Sequence, residues 1–161
     1  MNLVLFVDTS VMVNLLNIPG RNQHHNEAII EYNKLMEQEK IVFVIPVATL
    51  VETGNHIAHI SDGNLRFLIG KEFADLVRSA ISMEGSWVTA SEIPPNVLDV
   101  GLDKFMQFVP SGTGLGDATI VAQFEEYWTK QQPIGTMRIW SYDNHLQGFE
   151  KEGGLSRRKA K

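Results

Sequence analysis

Four carboxylates in this chain, Asp8, Glu52, Asp117 and Asp143, stand where a catalytic edge would form. Asp8 follows the apolar run Leu3 to Val7, and Asp143 lies just past the run Met137 to Ser141. Glu52 falls one to two turns into the helix that leaves the run Ile41 to Ile45, and Asp117 falls in the first turn after Gly114-Leu115-Gly116. In an open parallel sheet, ligands sit outside the carboxyl ends of the strands, so all four acids map to one edge. Taken singly, each has an ordinary explanation. Asp8 and Asp117 read as helix caps or dipole partners, with the helix N-terminus keeping Asp117 ionised, and Asp143-Asn144 reads as a turn pair. Glu52 resists that reading. Leu50, Val51, Ile57 and Ala58 make its helix partly buried, and no Lys or Arg occurs between Lys40 and Arg66 to pair with it.

Gathering carboxylates costs about 3 to 4 kcal/mol per close pair at an effective dielectric near ~20, and a divalent cation relieves that repulsion. Carboxylate-rich, all-oxygen sites suit Mg²⁺ or Mn²⁺, which bind phosphate oxygens and generate or orient an attacking hydroxide. The chemistry indicated is phosphodiester hydrolysis. Ser10, two residues after Asp8, is placed to bond a carboxylate or a metal-bound water, or to cap a helix. Glu52, His56 and His59, at i, i+4 and i+7, could share a helix face and recruit a transition metal. A second His pair on another helix is missing, because His24-His25 falls in a polar loop or helix start. His56 therefore reads as a partner of Glu52 or a surface residue, and His145 as exposed.

The elements that must position these residues alternate. Leu3 to Val7 reads as a strand buried on both faces, and Thr9 and Ser10 open a short helix, Val11 to Leu16, closed at Pro19-Gly20. Asn22 to Glu39 reads as an amphipathic helix, Ile41 to Ile45 as a strand stopped by Pro46, and the segment from Val47 to Ala58 as a helix. Leu65 to Met83 carries Leu65, Leu68, Ile69, Phe73, Leu76, Val77, Ala80 and Ile81 on one stripe, long enough for a dimer face as well as core contact, and is read as core. Trp87 to Ala90 is a short strand, Val97 to Val109 a helix with Leu98, Leu102, Phe105, Met106 and Val109 apolar, Gly116 to Thr129 a helix, and Met137 to Ser141 a last strand. Repeated βα order predicts an α/β fold, a parallel sheet with helices on both faces. Trp128 and Trp140 fall on apolar faces and read as core rather than as base-stacking groups.

With 161 residues and 43% hydrophobic content, the chain suits one domain with a single core. It lacks cysteine, which excludes a disulfide framework, thiolate catalysis and zinc held by sulfur. Met1 to Val7 is too short for a signal-peptide core, and no uncharged stretch approaches the ~18 residues of a membrane span, so the expectation is a cytoplasmic protein without membrane contact. The net charge of −5 supplies no overall field to gather a polyanion. Five basic residues and one acidic residue lie between Lys151 and Lys161, which divides the chain into an acidic body, 1–150, and a basic tail, 151–161, expected to be flexible.

The residues also carry a resemblance. Leu5-Phe6-Val7-Asp8-Thr9-Ser10-Val11 resembles the opening motif of PIN-domain nucleases, and Thr49-Leu50-Val51-Glu52 resembles their second. Gly114-Leu115-Gly116-Asp117-Ala118 with Ile120-Val121-Ala122 resembles the third, and Ser141-Tyr142-Asp143 the fourth. Any one of these is weak, and four in order across most of the chain are strong. The resemblance, to the VapC-like group in particular, implies a three-layer α/β/α fold with a central mainly parallel sheet. It also implies a metal-dependent endoribonuclease site made by Asp8, Glu52, Asp117 and Asp143, with Ser10 and Ser141 supporting it. Members of that group often act as toxins paired with an antitoxin protein and as homodimers.

Other classes fit less well. A haloacid-dehalogenase-like phosphatase needs a second Asp two positions after the first, where this chain has Ser10, and no Gly-rich loop with a Lys follows any strand. The non-enzymatic alternative is a catalytically silent PIN-like protein-interaction module, which would have no use for four mutually repelling acids.

Overall fold

The computed structural model describes residues 2–154. The strand β1 (Asn2–Val7) is buried on both sides, with Leu5 and Val7 entering one hydrophobic layer and Val4 and Phe6 the other. This two-sided burial is why its sequence is a continuous apolar run rather than an alternating one. Its neighbours are β2 (Ile41–Pro46) and β4 (Gly135–Trp140), both parallel to it, and β3 (Trp87–Ala90) pairs in parallel with the far side of β2. A fifth strand, β5 (Glu150–Gly153), runs antiparallel to β4, giving the order β3-β2-β1-β4-β5.

Four helices supply the first layer: α1 (Thr9–Leu15), α2 (His25–Met36), α3 (Val47–Ala58) and α4 (Gly63–Ile81). Met12, Leu35, Ile57 and Ile69 from these helices meet Leu5, Phe43 and Trp140 of the sheet. On the opposite face, α6 (Leu115–Gln131) buries Ile120 and Phe124 against Phe6, Met137 and Ile139. The Phe6 and Phe124 rings meet edge to face at 5.7 Å, and each fully buried ring contributes roughly 1.5 to 3 kcal/mol. Outside α6 lies α5 (Pro95–Phe108), followed by a 3₁₀ turn (Val109–Ser111). The two helices approach closely at Gly101, where a Cβ would stand 3.3 Å from Thr119 Cγ2. The expected three-layer α/β/α fold with a mainly parallel sheet is present.

Two expectations change. The segment read as a tail from residue 151 begins inside β5, whose polar sequence gave no strand signal because it pairs through its backbone at the sheet edge. Lys151 of this strand forms an ion pair with Glu125 of α6. The remaining tail cluster, Arg157-Arg158-Lys159, lies outside the described residues. The apolar stripe of α4 is also less buried than expected. In α4, Ile69 and Ala80 reach the core while Leu65, Leu68 and Ile81 remain exposed. In α5, Val97 and Gly101 turn inward, and Leu98, Leu102 and Met106 are left at the surface. Among the described residues, no helix is long and apolar enough to cross a membrane.

Candidate active site

The pairing of β1 with β4 sets Val7 opposite Trp140, and the Asp8 N–H continues the ladder to the Trp140 carbonyl at 3.0 Å. The two loops therefore leave the sheet side by side, which brings Ser141 to Asp8. Asp8 is buried and caps α1, as its ordinary reading expected. Its Oδ2 accepts the Ser10 amide at 3.2 Å, the Ser10 hydroxyl at 2.6 Å and the Ser141 hydroxyl at 2.8 Å. Each hydroxyl in turn accepts a backbone amide: Ser10 Oγ from Tyr142 at 2.9 Å, and Ser141 Oγ from Asp143 at 2.8 Å. With a lone pair on each hydroxyl taken by an N–H, both hydroxyl protons are directed to the carboxylate. Oδ1 receives none of these bonds.

Asp143 is held in a tight turn. Its Oδ1 accepts the His145 amide at 2.9 Å, and its carbonyl accepts the amides of Leu146 and Gln147 at 3.1 and 3.2 Å. Leu146 is fully buried and anchors the loop in the core.

Glu52 reaches the same edge from α3. Thr49, fully buried in the first turn, donates its hydroxyl to the Val7 carbonyl at 2.8 Å and pins the helix to the end of β1. Glu52 is three residues further on and so shares that helix face. Its Oε2 accepts the Thr9 hydroxyl at 2.9 Å. The absence of a nearby cation in the sequence is thus met by a hydroxyl rather than an ion pair. Its Oε1 lies against the first turn of α6, where a Cβ on Gly116 would come within 2.2 Å.

Asp117 sits in that same turn, half-buried, beyond the Gly114 cap position. Burial raises its pKa first, then the charges of Asp8, Asp143 and Glu52, to about 6, although a backbone hydrogen bond with Gly114 opposes the rise. The sequence reading expected the helix N-terminus to keep this carboxylate ionised. Desolvation and three like charges outweigh the helix end, so Asp117 holds its proton well above the usual carboxylate range.

The four predicted acids, with Ser10 and Ser141, therefore meet at one sheet edge. Among the described residues, none of the four acids forms an ion pair. Their donor set, all oxygen and strongly acidic, fits a hard divalent cation. Yet among the described residues no three His, Asp or Glu groups stand close enough together to hold an ion.

The histidines do not form a second centre. His59 Nδ1 contacts the Asn55 carbonyl at 2.6 Å on the exposed side of α3. His56 has a lowered pKa, from burial first and then Arg21, with Glu52 acting in the opposite direction. His24 stacks on Tyr142 at 4.7 Å, and His145 is exposed, as expected. Trp140 is core, with its Nε1–H donated to Glu31 at 3.0 Å, and Trp128 is half-buried against the second layer.

Sequence reasoning left out three positioning residues: Thr9, Thr49 and Gly116. The available signals were hydroxyls immediately after Asp8 and three residues before Glu52, and a glycine directly before Asp117.

Compared by sequence, the chain matches no family model and no curated protein. Its structure is similar to that of Mycobacterium tuberculosis VapC20, a toxin that cleaves the sarcin-ricin loop, with a TM-score of 0.57 and 16% identity over 90% of this chain and 95% of that one. It is also similar to FitAcB from Neisseria gonorrhoeae, with a TM-score of 0.52 and 12% identity over 88% of this chain and 89% of that one. At these identities the likeness is one of fold, and it shows that this chain has the PIN α/β/α fold of VapC-like proteins.

Proposed function

We propose that this chain is a divalent-metal-dependent endoribonuclease of the toxin kind, acting in the cytoplasm and controlled by an antitoxin protein. The observation that carries the reading is the mutual effect of the four acids. Asp117 is pushed to about 6 by burial and by Asp8, Asp143 and Glu52 together. A bound divalent cation would relieve that repulsion, which no cationic side chain among the described residues does. Likeness in fold to a toxin that cleaves an RNA loop supports RNA as the substrate.

Asp8, Asp117 and Asp143 would hold Mg²⁺ or Mn²⁺, and Glu52 would join them or take a proton from the attacking water. When bound, the ion neutralises the acids, accepts phosphate oxygens and lowers the pKa of water. The chain's own groups prepare the edge. Ser10 and Ser141 fix Oδ2 of Asp8 and leave Oδ1 available, while Thr9 fixes Oε2 of Glu52 and leaves Oε1 facing α6. A second copy of the chain would pack on the exposed stripe Leu98, Leu102 and Met106 of α5, giving a homodimer.

The test is cleavage of single-stranded RNA in Mn²⁺ or Mg²⁺, with and without EDTA, by the wild type and Asp117→Asn. The expected result is metal-dependent cleavage lost in the variant. Cleavage that survives EDTA, or equals wild type in Asp117→Asn, overturns the reading.

A further inference from the structure

Beside the carboxylate edge, α5, the 3₁₀ turn, the start of α6 and the loop after β4 enclose a cavity of about 260 Å³. It is lined by Lys104, Gln107, Phe108, Thr113, His145 and Phe149, among others. Sites for whole drug-sized ligands run from roughly 300 to 1,000 Å³, so this one suits a single flat heterocycle. Phe108 is 43% exposed, an aromatic face left beside the opening.

The cavity adjoins two of the four acids. Ala118, which contributes to its wall, follows Asp117 directly. The His145 amide bonds Asp143 Oδ1 at 2.9 Å, and the His145 ring reaches toward Thr113 Oγ1 at 3.4 Å. A ring seated here would lie beside the loop that holds Asp143.

The geometry points to this cavity as the seat of one base of the RNA strand, next to the phosphate that is cut, an inference that rests on the nuclease reading. A base offers a π face to Phe108 and Phe149. Its edge offers donors and acceptors to Gln107, Thr113 and His145. Its phosphate offers negative charge to Lys104, a cation in a chain of net charge −5. An apolar peptide side chain would use neither the Lys104 charge nor the Gln107 amide.

Two measurements decide it. In the first, AMP, GMP, CMP and UMP are titrated into the metal-free protein and followed by its backbone amide resonances. At least one nucleotide should shift Gln107, Phe108, Thr113 and His145, and Phe108→Ala should weaken that binding at least 5-fold with the remaining resonances unmoved. In the second, a randomised-sequence single-stranded RNA is cut in Mn²⁺ and the new ends are sequenced. Wild type should show a base preference at one position flanking the cut, and Gln107→Ala and Phe108→Ala should each flatten it and raise KM at least 5-fold. Cleavage without any base preference, or with a preference both variants keep, overturns the base site. So does the absence of shifts at the cavity with all four nucleotides. Nucleotide binding at the cavity without any RNA cleavage removes the nuclease reading and with it the placement beside a cut phosphate, whereas cleavage without shifts at the cavity overturns the base site alone, so the two failures are separable.

Discussion

Ser141 donates its hydroxyl to Asp8 Oδ2 at 2.8 Å while accepting the Asp143 amide at 2.8 Å, so one side chain ties the first and last acids of the edge together. Because Asp8 is buried, losing this bond exposes the full penalty of an under-solvated carboxylate. Ser141→Ala should lower stability by about 1.5 to 3 kcal/mol, the range for hydrogen bonds to charged groups. Ser141→Thr, which keeps the hydroxyl, should recover most of it. Urea denaturation of the metal-free proteins measures both, and equal midpoints for wild type and the Ala variant would refute the tie.

The raised pKa of Asp117 makes metal-free stability depend on pH in a definite direction. Between the ordinary carboxylate value and about 6, the folded chain binds more protons at Asp117 than the unfolded chain does. Stability therefore falls as pH rises through that window. Asp117→Asn removes the penalty and should be as stable as wild type near pH 4 and more stable at pH 7, by about 1 to 2 kcal/mol after allowing for solvent screening. Comparing the two proteins isolates Asp117 from His56, whose lowered pKa works in the opposite sense by destabilising the fold as pH drops below 6.5. A variant less stable than wild type at pH 7 would instead make Asp117 a structural helix-end residue.

Much of this edge was legible because strands buried on both faces leave continuous apolar runs, and an acid that ends such a run is conspicuous. Asp8 after β1 is legible for that reason, Asp143 by its place just past the last strand, and Glu52 by its lack of a cation partner. What was not legible depended on contacts between distant segments. The Thr9 bond to Glu52 and the Thr49 bond to the Val7 carbonyl each join residues more than forty positions apart. β5 pairs by backbone and carries no apolar pattern. Its partner strand opens at Gly135, with φ +125°, where a Cβ would meet the Asn2 carbonyl at 2.1 Å. The rise in Asp117's proton affinity was hidden too, because a helix N-terminus visible in the sequence favours the charge and the opposing acids act only through the fold.

Gly116 gives a test that separates the site from the fold. A Cβ there would collide with Glu52 Oε1, the movable end of a long side chain, so the backbone can stay where it is. Gly116→Ala should therefore leave the unfolding midpoint unchanged or raise it, since Ala in a helix is favoured over Gly by roughly 0.5 to 1 kcal/mol. It should also displace Glu52 and reduce RNA cleavage at least 10-fold. Full activity in a folded Gly116→Ala variant would show that the position of Glu52 against α6 is irrelevant to catalysis.

The central claim, that the four acids form a divalent-cation site, is tested most directly by calorimetric titration of Mn²⁺ into metal-free wild type, Asp117→Asn and Asp143→Asn. The account predicts saturable binding in wild type and at least a 10-fold loss of affinity in each variant. Absence of binding in wild type, or equal binding in all three proteins, would contradict it and favour a PIN-like interaction module that cuts nothing.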